Sequence, residues 1–176
     1  WIRHLQTIER INRLQSARQK LTRIFKRSPL LADVIWHEHF TPIIGKEQVE
    51  YMLSRFQSYP ALQDQVLTGY EYYRLLGKPK TVRIYGDQAG SGRKDVFEQL
   101  YIAKQYRGRH LAAFLFDFLK NLCRQRNCSA IWLTCNKHND HSLNVYRHFG
   151  FQTIDAQKND IGNGFFMDDY IMEYRL

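Results

Sequence analysis

The 176-residue sequence predicts a three-layer α/β fold in a single domain, residues 1–176. Two observations carry the prediction. Apolar residues recur at helical spacing as far as Phe56, and from Tyr70 onward short strand-like runs alternate with two amphipathic helical segments. The composition, 44% hydrophobic and 24% charged, is ordinary for a chain of this length with a substantial core, and no repeat or low-complexity tract interrupts it.

Taken in order, Trp1 to Leu5 is a candidate short strand. Ile8, Ile11, Leu14, Leu21 and Ile24 then predict a helix from Thr7 towards Lys26. Ser28-Pro29 interrupts it with a cap and a first helical residue, and a second helix follows through Leu31, Val34, Ile35 and Phe40 until Thr41-Pro42 ends it. Beyond Gly45, the residues Val49, Met52, Leu53 and Phe56 mark a third. Strands are expected at Tyr70 to Leu76 and Val82 to Tyr85 around the turn Gly77-Lys78-Pro79. A loop from Ala89 to Asp95 precedes a strand from Val96 to Ala103, a helix from Arg109 to Arg126, a strand from Ala130 to Thr134 and a helix from Asp140 to Phe149. Strands at Phe151 to Ile154 and Tyr170 to Tyr174 complete the pattern, with Asp160 to Gly164 read as a loop.

The formal charge of +9 is concentrated at the amino terminus, where residues 1–27 carry eight basic side chains against Glu9 alone. The remainder holds 18 basic and 16 acidic residues. A basic amino-terminal helical segment, 1–27, is therefore a candidate contact for a polyanion or a homodimer partner, although such a run is more often a solvated face, and nucleic acid is not the expected partner. No apolar run reaches the roughly 18 residues needed to span a bilayer, and Trp1 to Leu5 lacks the apolar centre of a secretion signal. The expected location is the cytoplasm, with no membrane contact. Cys123, Cys128 and Cys135 form neither a CxxC nor a paired set, and His37 and His39 lack the HExxH spacing. No metal is expected.

The stretch from Glu98 to Ala112 carries the chemistry. A β-rich run through Leu100, Tyr101 and Ile102 gives way to a basic turn, Gln105 to His110, and then to a helix whose apolar face is Leu111, Phe114, Leu115, Phe118, Leu119 and Leu122. Packing that face on a sheet sets the helix start at a strand end, where unpaired N–H groups and the positive end of the dipole suit an anion. Arg107 and Arg109 add charge, and Gly108 permits close backbone approach. Taken alone, such a turn is as often a plain helix start. Downstream, Asn139, Ser142, Tyr146, Gly150 and Phe151 form an N-x-x-S-x-x-x-Y-x-x-x-G-F run, with Ser142 and Tyr146 on one helical face and Gly150 as terminator.

Together these two runs resemble the acetyl-CoA site of the GNAT superfamily, the Gcn5-related N-acetyltransferases. The family's Q/R-x-x-G-x-G/A loop is matched by Gln105 and Gly108, while His110 stands where Gly or Ala is expected and Ala112 where many members have a further Gly. The resemblance implies a central mixed, mostly antiparallel sheet of about six to seven strands with helices on both faces. It implies acetyl-CoA as cosubstrate, with Leu100, Tyr101 and Ile102 offering backbone to the pantetheine arm and residues from Gln105 through Arg107, Gly108, Arg109, His110 and Leu111 to Ala112 holding the pyrophosphate. Asn139 would bond the pantetheine, Ser142 would share the cofactor-facing side of its helix, and Tyr146 would stand near the thioester sulfur. The carboxyl-terminal residues are similar to the polyamine-acetylating branch typified by PaiA.

Acyl transfer to an amine needs an uncharged nucleophile, a stabilised oxyanion and a proton for the departing thiolate. Tyr146 is the candidate general acid, its alternative being an aromatic that packs at a helix–sheet junction. Glu98, two residues before Leu100 and so on the same strand face, is the candidate water-mediated base, its alternative a surface charge. Asp168 and Asp169 would attract a cationic amine if they face the acceptor, and otherwise are solvent-facing acids. The acceptor expected is a primary amine, a small molecule or polyamine. Two other readings stay open: a peptide or protein amino group as acceptor, and a scaffold weakened at His110 that serves as a binding module through its basic helix.

Overall fold

The computed structural model describes residues 7–10, 28–68, 70–76, 82–86, 94–96, 99–102, 104 and 107–176. The chain divides into two compact units, one formed by Trp1–Gln88 with Gln99–Leu111 and the other by Ala89–Glu98 with Ala112–Leu176.

In the first unit, β1 (Thr7–Arg10), β2 (Glu71–Leu76), β3 (Val82–Gly86) and β5 (Gln99–Tyr101) form an antiparallel sheet in the order β1-β2-β3-β5. Its helices are α1 (Ser28–His39), α2 (Thr41–Ile44), α3 (Lys46–Phe56) and α4 (Tyr59–Leu67). Ala32, Ile35 and Trp36 of α1, Val49 and Met52 of α3, Leu62 of α4, and Tyr72 and Tyr73 of β2 are buried. Gln65 ties three elements together: its amide donates to the Phe56 carbonyl at 3.2 Å, and its oxygen accepts from the Tyr72 hydroxyl.

Two expectations are corrected in this unit. Thr7 to Arg10 is a strand and not the start of a helix, because pairing along its length with Tyr73–Leu76 satisfies its backbone and suits the β-branched Thr7 and Ile8. The strand expected over Trp1 to Leu5 and the rest of the basic helix lie outside the described residues. Thr41-Pro42 does not simply stop a helix but opens the short α2, Pro being acceptable in a first turn that has no N–H to satisfy. Helix α4 follows the same rule at Ser58-Tyr59-Pro60, a signal present in the sequence.

In the second unit, β4 (Lys94–Val96), β6 (Ala130–Asn136), β8 (Phe165–Arg175) and β7 (Gln152–Gly162) form a sheet in the order β4-β6-β8-β7. Only β4 and β6 run parallel. Its helices are α5 (Leu111–Gln125), whose first residue belongs to the other unit, and α6 (Asp140–His148). The strand expected over Val96 to Ala103 is thus two strands in different sheets, β4 beside β6 and β5 beside β3. Among the described residues the strands fall into two four-stranded sheets, in place of the single sheet of six to seven strands that was expected. Antiparallel pairs predominate as expected.

Leu115, Leu119 and Cys123 lie one turn apart on α5 and are buried, as are Ile131, Leu133 and Cys135 of β6, Leu143 of α6 and Met172 of β8. Phe116 anchors an aromatic cluster, stacking on Phe149 at 5.1 Å and meeting Phe151 at 5.3 Å and Tyr174 edge-on at 5.1 Å. The segment Asp160 to Gly164, read as a loop, completes β7 and turns the β7–β8 hairpin. Asn163 and Gly164 both adopt positive φ, 56° and 77°, as a type I′ turn demands.

Candidate functional site

Strand β5 is an edge strand among the described residues, held only by β3, with Leu100 opposite Ile84 and Tyr101 opposite Arg83. Beyond it, the Arg107 Nε donates to the Ile102 carbonyl at 3.0 Å and the Arg107 N–H to the Lys104 carbonyl at 3.1 Å. The guanidinium therefore closes its own turn as well as contributing charge. Arg107, Gly108, Arg109 and His110 are all exposed, and the space where Gly108 would carry a Cβ is open.

The helix begins at Leu111, two residues later than expected, and Leu111 is buried, which anchors the first turn. Gly108 has φ +69° and His110 φ +58°. His110, the residue before the helix, therefore occupies a left-handed conformation that a β-carbon disfavours, which supplies a physical reason for Gly at that position. His110→Gly is expected to stabilise the fold by about 1 kcal/mol by relieving this conformation, read as a raised melting temperature. It should also tighten acetyl-CoA binding in calorimetry by removing bulk from the turn. Gln105 and Glu98 lie outside the described residues.

In the second unit, Asn139 caps α6: it is buried, and its side-chain oxygen accepts from the Ser142 N–H at 3.3 Å. Ser142 and Tyr146 follow on one face. The helix ends in a Schellman arrangement, with the Phe151 N–H donating to the Tyr146 carbonyl at 3.0 Å and the Gly150 N–H to that of Arg147 at 2.9 Å. Gly150 has φ +95°, and a Cβ there would touch the Tyr174 ring at 3.4 Å. The motif brings the Phe151 ring edge-on against Tyr146 at 5.7 Å, so the terminator and the tyrosine that the sequence singled out form one local structure.

Burial pushes the Tyr146 hydroxyl well above the ordinary tyrosine range, with a further increment from Cys135. Among the described residues it makes no hydrogen bond. The Cys135 thiol is pushed up to about 12, first by burial and then by the Asp169 carboxylate. Cys135 is thus not a thiolate near neutral pH. Cys123 and Cys135 are buried, in keeping with a packing role.

Asp168 and Asp169 have different environments. Lys137 pairs with Asp168, holding that carboxyl below its usual range, and the Lys137 N–H donates to the Asp168 carbonyl at 3.0 Å. Asp169 is 4% exposed, which corrects the reading of a solvent-facing acid, and its pKa rises from 3.8 to about 6, chiefly through burial and then through Asp168. A carboxyl that holds its proton more tightly when folded lowers stability as pH rises from about 4 to 6, by about 1.4 kcal/mol for each unit between its two pKa values. Asp169→Asn is expected to remove roughly 2–3 kcal/mol of this decline. Urea denaturation at pH 4 and pH 7 measures it, and the variant should be the more stable protein at pH 7. The sequence held no cue to this burial, because the acidic pair alternates across the sheet and either residue was eligible to face inward.

His37 joins two helices, its Nε2 lying 3.0 Å from Glu50 Oε1 and its Nδ1 2.8 Å from the Asp33 carbonyl. Those contacts, led by the one to Glu50, raise its pKa. Among the described residues no group of three or more His, Cys, Asp or Glu is placed to hold a metal, and no helix is long and apolar enough to cross a membrane.

The model of the acetyltransferase (GNAT) family matches residues 25–151. No curated protein sequence matches the chain. Among solved structures the chain is similar to the PaiA N-acetyltransferase of Thermoplasma acidophilum in complex with coenzyme A, with a TM-score of 0.71 and 15% identity over 97% of this chain and 100% of that one. It is similar also to the GCN5-related N-acetyltransferase (aminotransferase, class II) of Rhodopseudomonas palustris, with a TM-score of 0.68 and 16% identity over 98% of this chain and 96% of that one. A GNAT family acetyltransferase from Elizabethkingia anophelis with acetyl-CoA bound gives a TM-score of 0.56 and 16% identity over 65% of this chain and 82% of that one. At these identities the likeness shows a common fold.

Proposed function

The chain belongs to the acetyltransferase (GNAT) family and is thereby an acetyl-CoA-dependent acyltransferase, and on that premise we propose that it transfers the acetyl group to a primary amine, a small molecule or polyamine, with Tyr146 as general acid. The observation that carries this reading is the Tyr146 hydroxyl, which makes no hydrogen bond among the described residues and whose ring is held edge-on by Phe151. A hydroxyl so held has its proton to offer to a ligand.

Acetyl-CoA supplies the thioester carbonyl that the amine attacks. On this reading the exposed turn from Arg107 to His110 and the first amides of α5, at Leu111 and Ala112, receive its pyrophosphate, and Gln105 is assigned to the same ligand. The positive φ values at Gly108 and His110 and the open space beside Gly108 support that assignment. Backbone groups of Leu100, Tyr101 and Ile102 take the pantetheine arm, a role that suits a strand paired on one side among the described residues. Asn139 and Ser142, joined by the helix cap, also contribute to cofactor binding. Glu98 accepts the amine's proton through water. The amine attacks the carbonyl carbon, the carbon–sulfur bond breaks, and the Tyr146 hydroxyl gives its proton to the departing thiolate and regains one from solvent. Residues 1–176 act as one catalytic domain, and its expected place of work is the cytoplasm.

Calorimetry with acetyl-CoA followed by a turnover assay across a panel of primary amines tests the proposal. Binding together with acetylation of at least one amine is the expected result. Neither binding nor turnover would remove it.

A further inference from the structure

His37 stands on α1 with an acceptor at each of its ring nitrogens. Nδ1 lies 2.8 Å from the Asp33 carbonyl oxygen and 3.5 Å from Asp33 Oδ1, and Nε2 lies 3.0 Å from Glu50 Oε1 on α3. A carbonyl and an ionised carboxylate have no proton to give, so each contact needs an N–H from the ring. Neutral imidazole carries one N–H and leaves its other nitrogen's lone pair against an oxygen, whichever tautomer forms. Only the imidazolium satisfies both. The contact to Asp33 stays inside α1, whereas the one to Glu50 crosses between helices, and the neutral ring keeps either by giving up the other.

The surroundings favour the charged ring. Helix α1 packs against α2 and α3, and α2 carries no titratable side chain. The other titratable residues of α1 are Asp33, Glu38 and His39, and those of α3 are Lys46, Glu47, Glu50, Tyr51 and Arg55. Of these, Glu50 and Asp33 act on His37, and both stabilise its protonated form. The Glu50 contact first, and then the Asp33 carbonyl, raise its pKa above the ordinary 6.5 against the opposing effect of burial. A base whose pKa is raised by folding contributes stability that is full below its unfolded value and is lost as pH rises through the folded one. The three side chains are 31%, 57% and 55% exposed for His37, Asp33 and Glu50, so bulk protons reach the ring and solvent screens the pair.

From this arrangement we infer that His37 is a pH-operated clasp of the first unit: its imidazolium ties α1 to α3 through Glu50, and loss of the ring proton loosens the two helices from one another. The device is independent of the transferase reading, since it uses no group assigned to acetyl-CoA or to the amine.

NMR titration of the histidine rings and amide hydrogen exchange test it on the parent protein, His37→Gln and Glu50→Gln. The resonance missing from His37→Gln identifies His37. In the parent that resonance should titrate at higher pH than in Glu50→Gln, whose amide can donate to the neutral ring. After correction for intrinsic exchange, protection of the α1 and α3 amides in the parent should fall about two- to fivefold between about pH 6 and about pH 8, the factor expected of a solvent-screened ion pair, and should stay level in both variants. A His37 midpoint unmoved by Glu50→Gln, or a fall in protection that persists in either variant, overturns the inference. Level protection in the parent overturns it without recourse to any variant.

Discussion

Tyr146→Phe should lower kcat by at least an order of magnitude, within reach of the roughly 10²–10⁴-fold that general acid catalysis supplies, with KM for acetyl-CoA little changed. The change deletes one oxygen. Phe retains the edge-on contact with Phe151, and the helix end that positions the ring is built from backbone atoms of Tyr146, Arg147, Gly150 and Phe151. Because the hydroxyl makes no hydrogen bond among the described residues, its removal leaves no protein group unsatisfied, and the melting temperature should match the parent's. Stopped-flow or steady-state acetylation with a saturating amine reads the effect. An unchanged kcat would retire the general-acid role and leave Tyr146 as a packing aromatic.

The largest structural effect is expected at Phe116. Its ring meets Phe149, Phe151 and Tyr174 within 5.3 Å, and it is buried on α5. Phe116→Ala removes the common member of that cluster and leaves a cavity that rings held on the end of α6 and on β8 cannot fill, costing about 3–5 kcal/mol. At about 2–4 °C per kcal/mol for a chain of this size, the melting temperature should fall by roughly 6–20 °C. Phe116→Leu, which leaves a smaller void, should lose much less. Phe151 packs on both Phe116 and Tyr146, so Phe116→Ala should also lower kcat while the protein is still folded. A variant as stable as the parent would mean that the cluster carries little of the core.

The sequence by itself determined the family, the α/β class, a helix from Arg109 to Arg126 that differs from the observed one by two residues at its start, and the whole of the local device around Asn139, Ser142, Tyr146 and Gly150. All of these rest on interactions between residues a few positions apart: an apolar stripe, a cap, a glycine terminator. It also singled out His110 as the departure in the turn, while the reason, a positive φ, required the backbone. What tertiary structure decided depends on partners distant in the chain. Thr7 to Arg10 became a strand because Tyr73–Leu76 lies beside it, and the run from Lys94 to Tyr101 was divided because β6 and β3 each claim one end. Asp169, unlike Asp168, was buried because β8 runs between two strands and side chains alternate across it. A charge pattern in one dimension carries no record of which face is covered, so the burial of that carboxylate could be read only from the fold.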